Sequence, residues 1–565
     1  MNGAKFSGSV SAVFDMDFDM ACGPQTPEIV SRKMHILKQM GFQCVHLVMP
    51  ACGYANYNAS TPLLGEGNYH LESLLNLGDP LRVYLEEARA ASMRTIVIYK
   101  PYEGGGFFSL PHGMEPLLPR RILPQLGGNA FGFDPFLADH PEMRIRRFGF
   151  DAEAEAARRP ACGLSLTFFH EKEPETEFPA DLTLYGSSDN GRYDPLEFTR
   201  REQEEFCTIP GSGVERKCRK LTLNFQVSPE IRYFAISFSN PEGVWRTVPY
   251  SMLLLLDAEG RALPCTATGR IRKLAVPLRG GGCTGDGDFR HSGFEFQASD
   301  SVVTGIGCEQ GCVYAVAAGT MEYLHGCYCE ACPEVRMHWL AQVDRAFRLG
   351  ADGIDFRLQC HSAGVPDFKA YGDHPLLQKR YRERYGDHFD YLDWMKIRGE
   401  FYLQFLHDAR RLAQQQKKLL QIDVNADWGA PELDWEVNRC CFWAMPKILP
   451  DYREIIALAD EIVLKDYHFG HYEVHAGDPV KDRCWKSHKP LWVHCYLQQG
   501  ADLNEQFIAE INSDLRVTGM LIYEMVCDRR PGSLPFEAAG LFEVTPTRTL
   551  IVNEQTRRRL SSFLF

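Results

Sequence analysis

Short apolar runs of β-forming residues alternate with amphipathic stretches at both ends of the chain, and a long β-rich tract separates the two ends. Val10–Phe18 reads as a first strand. Pro27–Met40 reads as a helix, with Thr26 as N-cap, Pro27 at its first position and Gly41 as its stop. A strand at Cys44–Met49, a helix over Pro80–Ser92 and a third strand at Arg94–Tyr99 complete a βαβαβ opening, which implies a parallel sheet. After Lys100 the alternation stops. Residues 103–150 are rich in Gly, Pro and Phe, and 160–318 hold short β-like runs broken by turn residues, the pattern of a β-sandwich.

The alternation resumes with a helix over Pro333–Leu349. Strands follow at Gly353–Leu358, Leu419–Val424, Glu461–Asp466, Leu491–Tyr496 and Gly519–Glu524, with helices that include Trp394–Gln414, Asp451–Leu458 and Asn504–Leu515. Three strands plus five make eight. The expected fold class is therefore α/β, a (β/α)8 TIM barrel with a β-sandwich domain inserted after the third strand. Residues 1–105 are expected to form the first part of the barrel, 106–318 the insertion, and 319–565 the second part and a C-terminal tail.

The fourth strand carries the first hint of chemistry. Gly-Ala-Asp-Gly-Ile-Asp-Phe-Arg-Leu-Gln at 350–359 projects Asp355, Arg357 and Gln359 from one face. Strands buried on both faces read as nearly continuous apolar runs, so such a face needs a polar destination. A buried ion pair that only fixes packing is the competing explanation. The other strands show polar groups on one parity near their ends: Asp15, Asp17 and Asp19 on the first, His46 on the second, and Lys100 and Tyr102 on the third. Asp423, Asn425 and Asp427 follow on the fifth, Asp466 and His468 on the sixth, His494, Tyr496 and Gln498 on the seventh, and Glu524 on the eighth. Together they are expected to line one mouth of the barrel, where catalytic groups of this architecture belong.

Composition narrows the partners. A formal charge of −13 without a long Lys/Arg run argues against nucleic acid. No apolar run approaches a membrane span, and Met1–Ser11 lacks the profile of a secretory signal. The 19 cysteines form no repeating framework and read as reduced thiols, so a cytoplasmic chain is expected, or an exported one whose leader has been removed. Cys308 and Cys312, with Cys327, Cys329 and Cys332, are close enough to suggest a soft-metal site. A structural zinc site presents two separated Cys pairs, however, and 327–332 offers one pair and an extra thiol, so packing or incidental thiols is the favoured reading and no metal or cofactor is expected.

Asp352-Gly-Ile-Asp-Phe-Arg, Tyr385-Gly-Asp, Arg398-Gly-Glu-Phe-Tyr-Leu-Gln-Phe-Leu and Met520-Leu-Ile-Tyr-Glu524 together resemble glycoside-hydrolase-like barrel proteins of the glycosyl-hydrolase-10-like group. The likeness covers roughly 320–530 and, less clearly, 10–100. It implies a carbohydrate-active barrel without a settled catalytic assignment. Two departures stand out. Strand seven offers His494 and Tyr496 where retaining glycosidases of the largest barrel clan place a glutamate, and a partial likeness to family 18 chitinases puts Gln359 where the catalytic acid would be.

Paired carboxylates suit glycosidic cleavage, one protonating the leaving oxygen while the other attacks the anomeric carbon or activates water. Strands four and eight face each other across an eight-stranded barrel, so Asp355 is expected as the ionised group and Glu524 as the proton donor, with Asp423 and Asp466 in reserve. Arg357 and Lys100 are expected beside the carboxylates. Asp17, His46, Lys100, Tyr102, Arg357, Gln359, Asp423, Asn425, Asp466, His468, His494 and Tyr496 are expected among the substrate-binding groups. The leading function is an exo-acting glycoside hydrolase on an oligo- or polysaccharide. A catalytically silent carbohydrate-binding barrel comes second, and a metal-dependent hydrolase using His46, Asp466, His468 and His494 third. The insertion is expected to shape the site or to join copies of the chain into an oligomer.

Overall fold

The computed structural model describes residues 5–49, 69–111, 121–124, 129–169, 180–188, 194–208, 215–239, 251–263, 265–267, 276–277, 283–284, 311–319, 322–358, 371–425, 448–465, 479–497, 503–528 and 539–565. Eight parallel strands close into a barrel: β1 (Ser9–Asp15), β2 (Cys44–Val48), β3 (Arg94–Tyr99), β4 (Gly353–Phe356), β5 (Leu419–Asn425), β6 (Glu461–Lys465), β7 (Leu491–Tyr496) and β8 (Val517–Tyr523). Closure is made by β8 against β1, where Ser9 pairs with Gly519 and Ala12 with Ile522.

Local chemistry sets the outer helices. Helix Pro27–Met40 begins where Thr26 accepts a hydrogen bond from the Ile29 N–H, and it ends at Gly41, whose φ of +107° suits a residue without a Cβ. Its buried face, Ile29, Val30, Lys33, Met34 and Leu37, packs into the shell between strands and helices. Lys33 is the polar exception on that face. It is held by Asp19, 2.8 Å from its ammonium.

Alternate residues of each strand point inward, and the interior has its own apolar cluster of Val13, Cys44, Val48, Ile96, Ile98, Val463, Trp492 and Leu521. This fixes the inward parity: Ser11 and Val13 on β1, His46 on β2, Asp355 on β4, Gln421 and Asp423 on β5, His494 on β7, and Leu521 and Tyr523 on β8.

Three expected strand ends move. The first strand stops at Asp15, and Met16–Cys22 is a helix, because Met16, Met20 and Ala21 fit a helical buried face better than a continued strand. Asp17 and Asp19 therefore leave the strand parity that placed them at the mouth. The eighth strand stops at Tyr523, and Glu524 follows it in the left-handed region with φ 63°. The fourth stops at Phe356, just before Arg357. Other differences are additions: the Gly-, Pro- and Phe-rich tract forms a sheet of Gly105–Pro111, Asn129–Phe133 and Arg121–Pro124, and helices His70–Leu77, Pro375–Tyr385 and Glu554–Leu564 join the shell.

Between β3 and β4 lie two five-stranded antiparallel sheets. One orders Asp194–Leu196, Thr183–Ser187, Tyr233–Ser239, Gly311–Ala318 and Cys265–Ala267; the other Phe198–Thr208, Glu215–Phe225, Gly163–Phe169, Ser251–Leu256 and Ala262–Leu263. Leu164, Leu166, Leu184, Leu221, Leu223, Phe234, Ile236 and Leu255, drawn from both sheets, form a core separate from that of the barrel. A third small sheet forms the neck of this region: Arg144–Arg147 runs antiparallel to Tyr323–Tyr328 on one side and to Tyr371–Asp373 on the other.

Candidate active site

Two polar layers lie inside the barrel. The deeper one is closed on itself. Ser11 Oγ is 2.6 Å from His46 Nδ1, and His46 Nε2 is 2.8 Å from Gln421 Oε1. The Gln421 amide donates to Glu461 Oε2 at 2.6 Å, which also accepts from the Trp492 indole at 2.8 Å. The chain of donors fixes the tautomer: Gln421 offers its oxygen to the ring, so Nε2 carries the proton and Nδ1 accepts from Ser11. Burial lowers His46 to about 3, so the ring is neutral. Gly519 makes room for Trp492, since a Cβ there would lie 2.2 Å from the indole. His46, expected at the mouth, is therefore a floor residue with both ring nitrogens engaged.

The layer above it is charged. Arg357 donates through Nε and Nη2 to Asp355 Oδ2, at 3.1 and 2.9 Å, and its Nε lies 3.2 Å from Asp423 Oδ2. In register Asp355 stands opposite Gln421, so Asp423 is level with Arg357, one step nearer the carboxyl ends of the strands. His494 Nε2 is 3.3 Å from the same Asp423 oxygen. Tyr523 covers the group: its ring lies 5.1 Å from the Arg357 guanidinium, stacks on His494 at 4.8 Å, and stacks on Tyr496 at 5.2 Å. Burial opposes the charge on Arg357, but Asp355 and Asp423 more than offset it and hold the guanidinium above its usual range. The Asp355 side chain is 0% exposed and that of Asp423 7%, so the second carboxylate is the more open of the two.

Of the expected site residues, Asp355, Arg357, Asp423, His494 and Tyr496 come together here. Glu524 follows directly on β8 and is half-buried. Lys100 ends the third strand's run and sits 3.3 Å from Glu103, both nearly buried. Tyr102 is elsewhere: its ring lies 5.0 Å from Trp339 and 6.0 Å from Tyr402, and burial first, then Glu330, pushes its hydroxyl well up. Asp17 is buried in helix Met16–Cys22. Gln359, Asp427, Asp466, His468 and Gln498, and the Asn425 side chain, lie outside the described residues, as do Cys308 and Cys312. Tyr523, Ser11, Gln421, Glu461 and Trp492 were missed. Tyr523 could have been found, because Gly519, Leu521 and Tyr523 share one parity and Glu524 has the other.

The closed barrel with a charged group at the carboxyl ends of β4, β5 and β7 defines an α/β-barrel protein with its polar mouth where such folds place ligands. No family model matches the chain, and no curated protein matches it. Among solved structures, it is similar to β-galactosidase from the psychrophilic Marinomonas ef1, at 10% identity and a TM-score of 0.33, over 98% of this chain and 58% of that one. The galactosidase domain of the alpha-galactosidase-sucrose kinase AgaSK aligns over 99% of this chain and 40% of that one, at 7% identity and a TM-score of 0.30. The catalytic domain of β-amylase from Paenibacillus polymyxa aligns over 96% of each chain, at 9% identity and a TM-score of 0.30. Likeness of this degree fixes neither a family nor an activity for this chain. No helix among the described residues is long and apolar enough to cross a membrane.

Proposed function

We propose that the protein is a glycoside hydrolase whose mouth is built on residues 1–105 and 319–565, with 106–318 as an inserted unit that walls one side and favours exo action. The observation that carries this reading is the array of Asp355, Arg357 and Asp423, level with the strand ends and roofed by Tyr523. Within it Asp355 is wholly buried and committed to Arg357, so its role is to orient the guanidinium. Asp423, nearer the opening, is the ionised carboxylate that meets the sugar, and Glu524 donates the proton to the leaving oxygen. The left-handed backbone of Glu524 supports its part in the chemistry, because such strain is costly and concentrates at functional sites.

The test is kcat/KM on a panel of aryl glycosides and oligosaccharides for Asp423→Asn, Glu524→Gln and Asp355→Asn. Loss of a general acid or base is expected to lower turnover by about 10²–10⁴-fold in the first two. Unchanged turnover in both would overturn the assignment. A second reading, a silent carbohydrate-binding barrel, is favoured by the engagement of both Asp355 and Asp423 with the Arg357 guanidinium. Saturable sugar binding by calorimetry with no turnover on the whole panel would select it. The metal-dependent hydrolase loses support, because Ser11 and Gln421 occupy both nitrogens of His46.

A further inference from the structure

The strands Tyr323–Tyr328 and Tyr371–Asp373 both run antiparallel to Arg144–Arg147, so they are parallel to each other and end on the same side of the neck. Cys329 follows directly on the first and His374 on the second. Cys332 stands at the N-cap of helix Pro333–Arg348, and His374 at the N-cap of helix Pro375–Tyr385. The two sulfurs and an imidazole nitrogen lie within 4.8 Å of one another, with Cys332 Sγ and His374 Nε2 3.4 Å apart. Metal–sulfur bonds of about 2.3 Å and metal–nitrogen bonds of about 2.0 Å place tetrahedral neighbours about 3.5 Å apart, so the pair already has the spacing of two ligands on one ion.

The supports are independent of the ligands themselves. Cys329 N–H donates to Met143 O at 2.8 Å, and the Cys332 N–H closes a turn onto Cys329 O at 3.2 Å. Glu330, between the two cysteines, is buried against Arg398, and Arg336 donates to the carbonyls of Glu330 and Ala331 at 2.6 and 3.0 Å. The loop is thus held in shape before any ion arrives.

We propose that Cys329, Cys332 and His374 bind a borderline-soft divalent cation, zinc by chemical preference, which staples the neck of the inserted region to the helix after Tyr371–Asp373. The protons balance as follows. Cys329 and Cys332 coordinate as thiolates, their thiol protons passing to solvent, and His374 coordinates through Nε2. In the present arrangement His374 Nδ1 accepts from the Leu376 N–H at 3.2 Å, so the ring proton sits on Nε2 facing Cys332. On coordination that proton moves to Nδ1, and the cap to Leu376 is given up. The third ligand lies 42 residues beyond Cys332 and is a histidine, so cysteine spacing alone does not point to it.

The experiment uses the full chain, purified without chelator, with thiols shown to be reduced. Elemental analysis is expected to find about one zinc per chain. Replacement by cobalt(II) is expected to give a thiolate-to-metal charge-transfer band and the visible spectrum of a tetrahedral centre. Cys332→Ser and His374→Asn, the latter keeping a helix-capping side chain, are each expected to weaken cobalt binding at least tenfold, while Cys162→Ser, outside the cluster, leaves it unchanged. A wild-type protein that shows no thiolate band with cobalt overturns the proposal without recourse to any variant. So does a Cys329–Cys332 disulfide in the freshly purified chain, or binding that is equal in the wild type and both variants.

Discussion

Among the described residues two arginines, Arg357 and Arg398, are buried against carboxylates, and they differ in what surrounds them. Arg398, on helix Tyr391–Gln415, meets Glu330 in a two-pronged pair, Nε to Oε1 and Nη2 to Oε2, outside the barrel. Arg357 places both of its bonded nitrogens on one oxygen of Asp355, and the same Nε faces Asp423. The first is a matched fork on a fork, each charge satisfied by the other. The second is one cation shared by two carboxylates under an aromatic lid, an excess of negative charge that a packing role does not need. Burial alone therefore does not separate clamp from site; the ratio of charges does.

The comparison can be broken from the clamp side first. Arg398→Met leaves Glu330 buried without its cation and is expected to cost about 3–5 kcal/mol in denaturant unfolding, most of it recovered in the double variant with Glu330→Leu. Activity per folded molecule should survive in the double variant; its loss would make the pair part of the site. Arg357→Met is expected to destabilise as well, but here sugar turnover or binding should fall with stability, and Arg357→Lys should fail to restore it, because an ammonium lacks the planar fork. Recovery by lysine would reduce Arg357 to a point charge.

The floor beneath the site gives a smaller, pH-dependent effect. His46 sits near 3 when folded and near its ordinary value of about 6.5 when unfolded, so below the latter the unfolded chain binds a proton that the folded chain does not. Its contribution to stability is thus intact above about pH 7 and shrinks as pH falls, by about 2 kcal/mol at about pH 5. In His46→Gln that part of the slope should vanish, measured as the difference between the two proteins' unfolding free energies at each pH. Smallest is the expected gain from Glu524→Gly, about 1 kcal/mol from relief of the left-handed backbone, accompanied by loss of turnover. A gain in stability with full activity would reassign Glu524 to the rim.

The barrel was legible in the sequence because each of its strands is a compact apolar run and its helices carry their own stops, as Thr26 and Gly41 do for Pro27–Met40. The charged layer was legible in part. Asp355, Arg357, Asp423 and His494 lie within or directly beyond strands, where alternation is reliable. Asp17 was misplaced because a helix begins at Met16, where strand alternation no longer applies, and at Glu524 the left-handed backbone likewise removes alternation as a guide. The floor escaped notice because Ser11, Gln421 and Glu461 look like ordinary polar interruptions until His46 and Trp492 are brought against them. His374 carried no signal at all, its partners being joined to it only by the parallel ends of two strands.

The Ser11, His46, Gln421, Glu461 and Trp492 layer spans the barrel below the charged group, with Trp492 filling the space that Gly519 leaves. The barrel interior is thus filled beneath Asp355, Arg357 and Asp423, so under the function proposed above a sugar meets these groups from the carboxyl ends of the strands and not through the barrel.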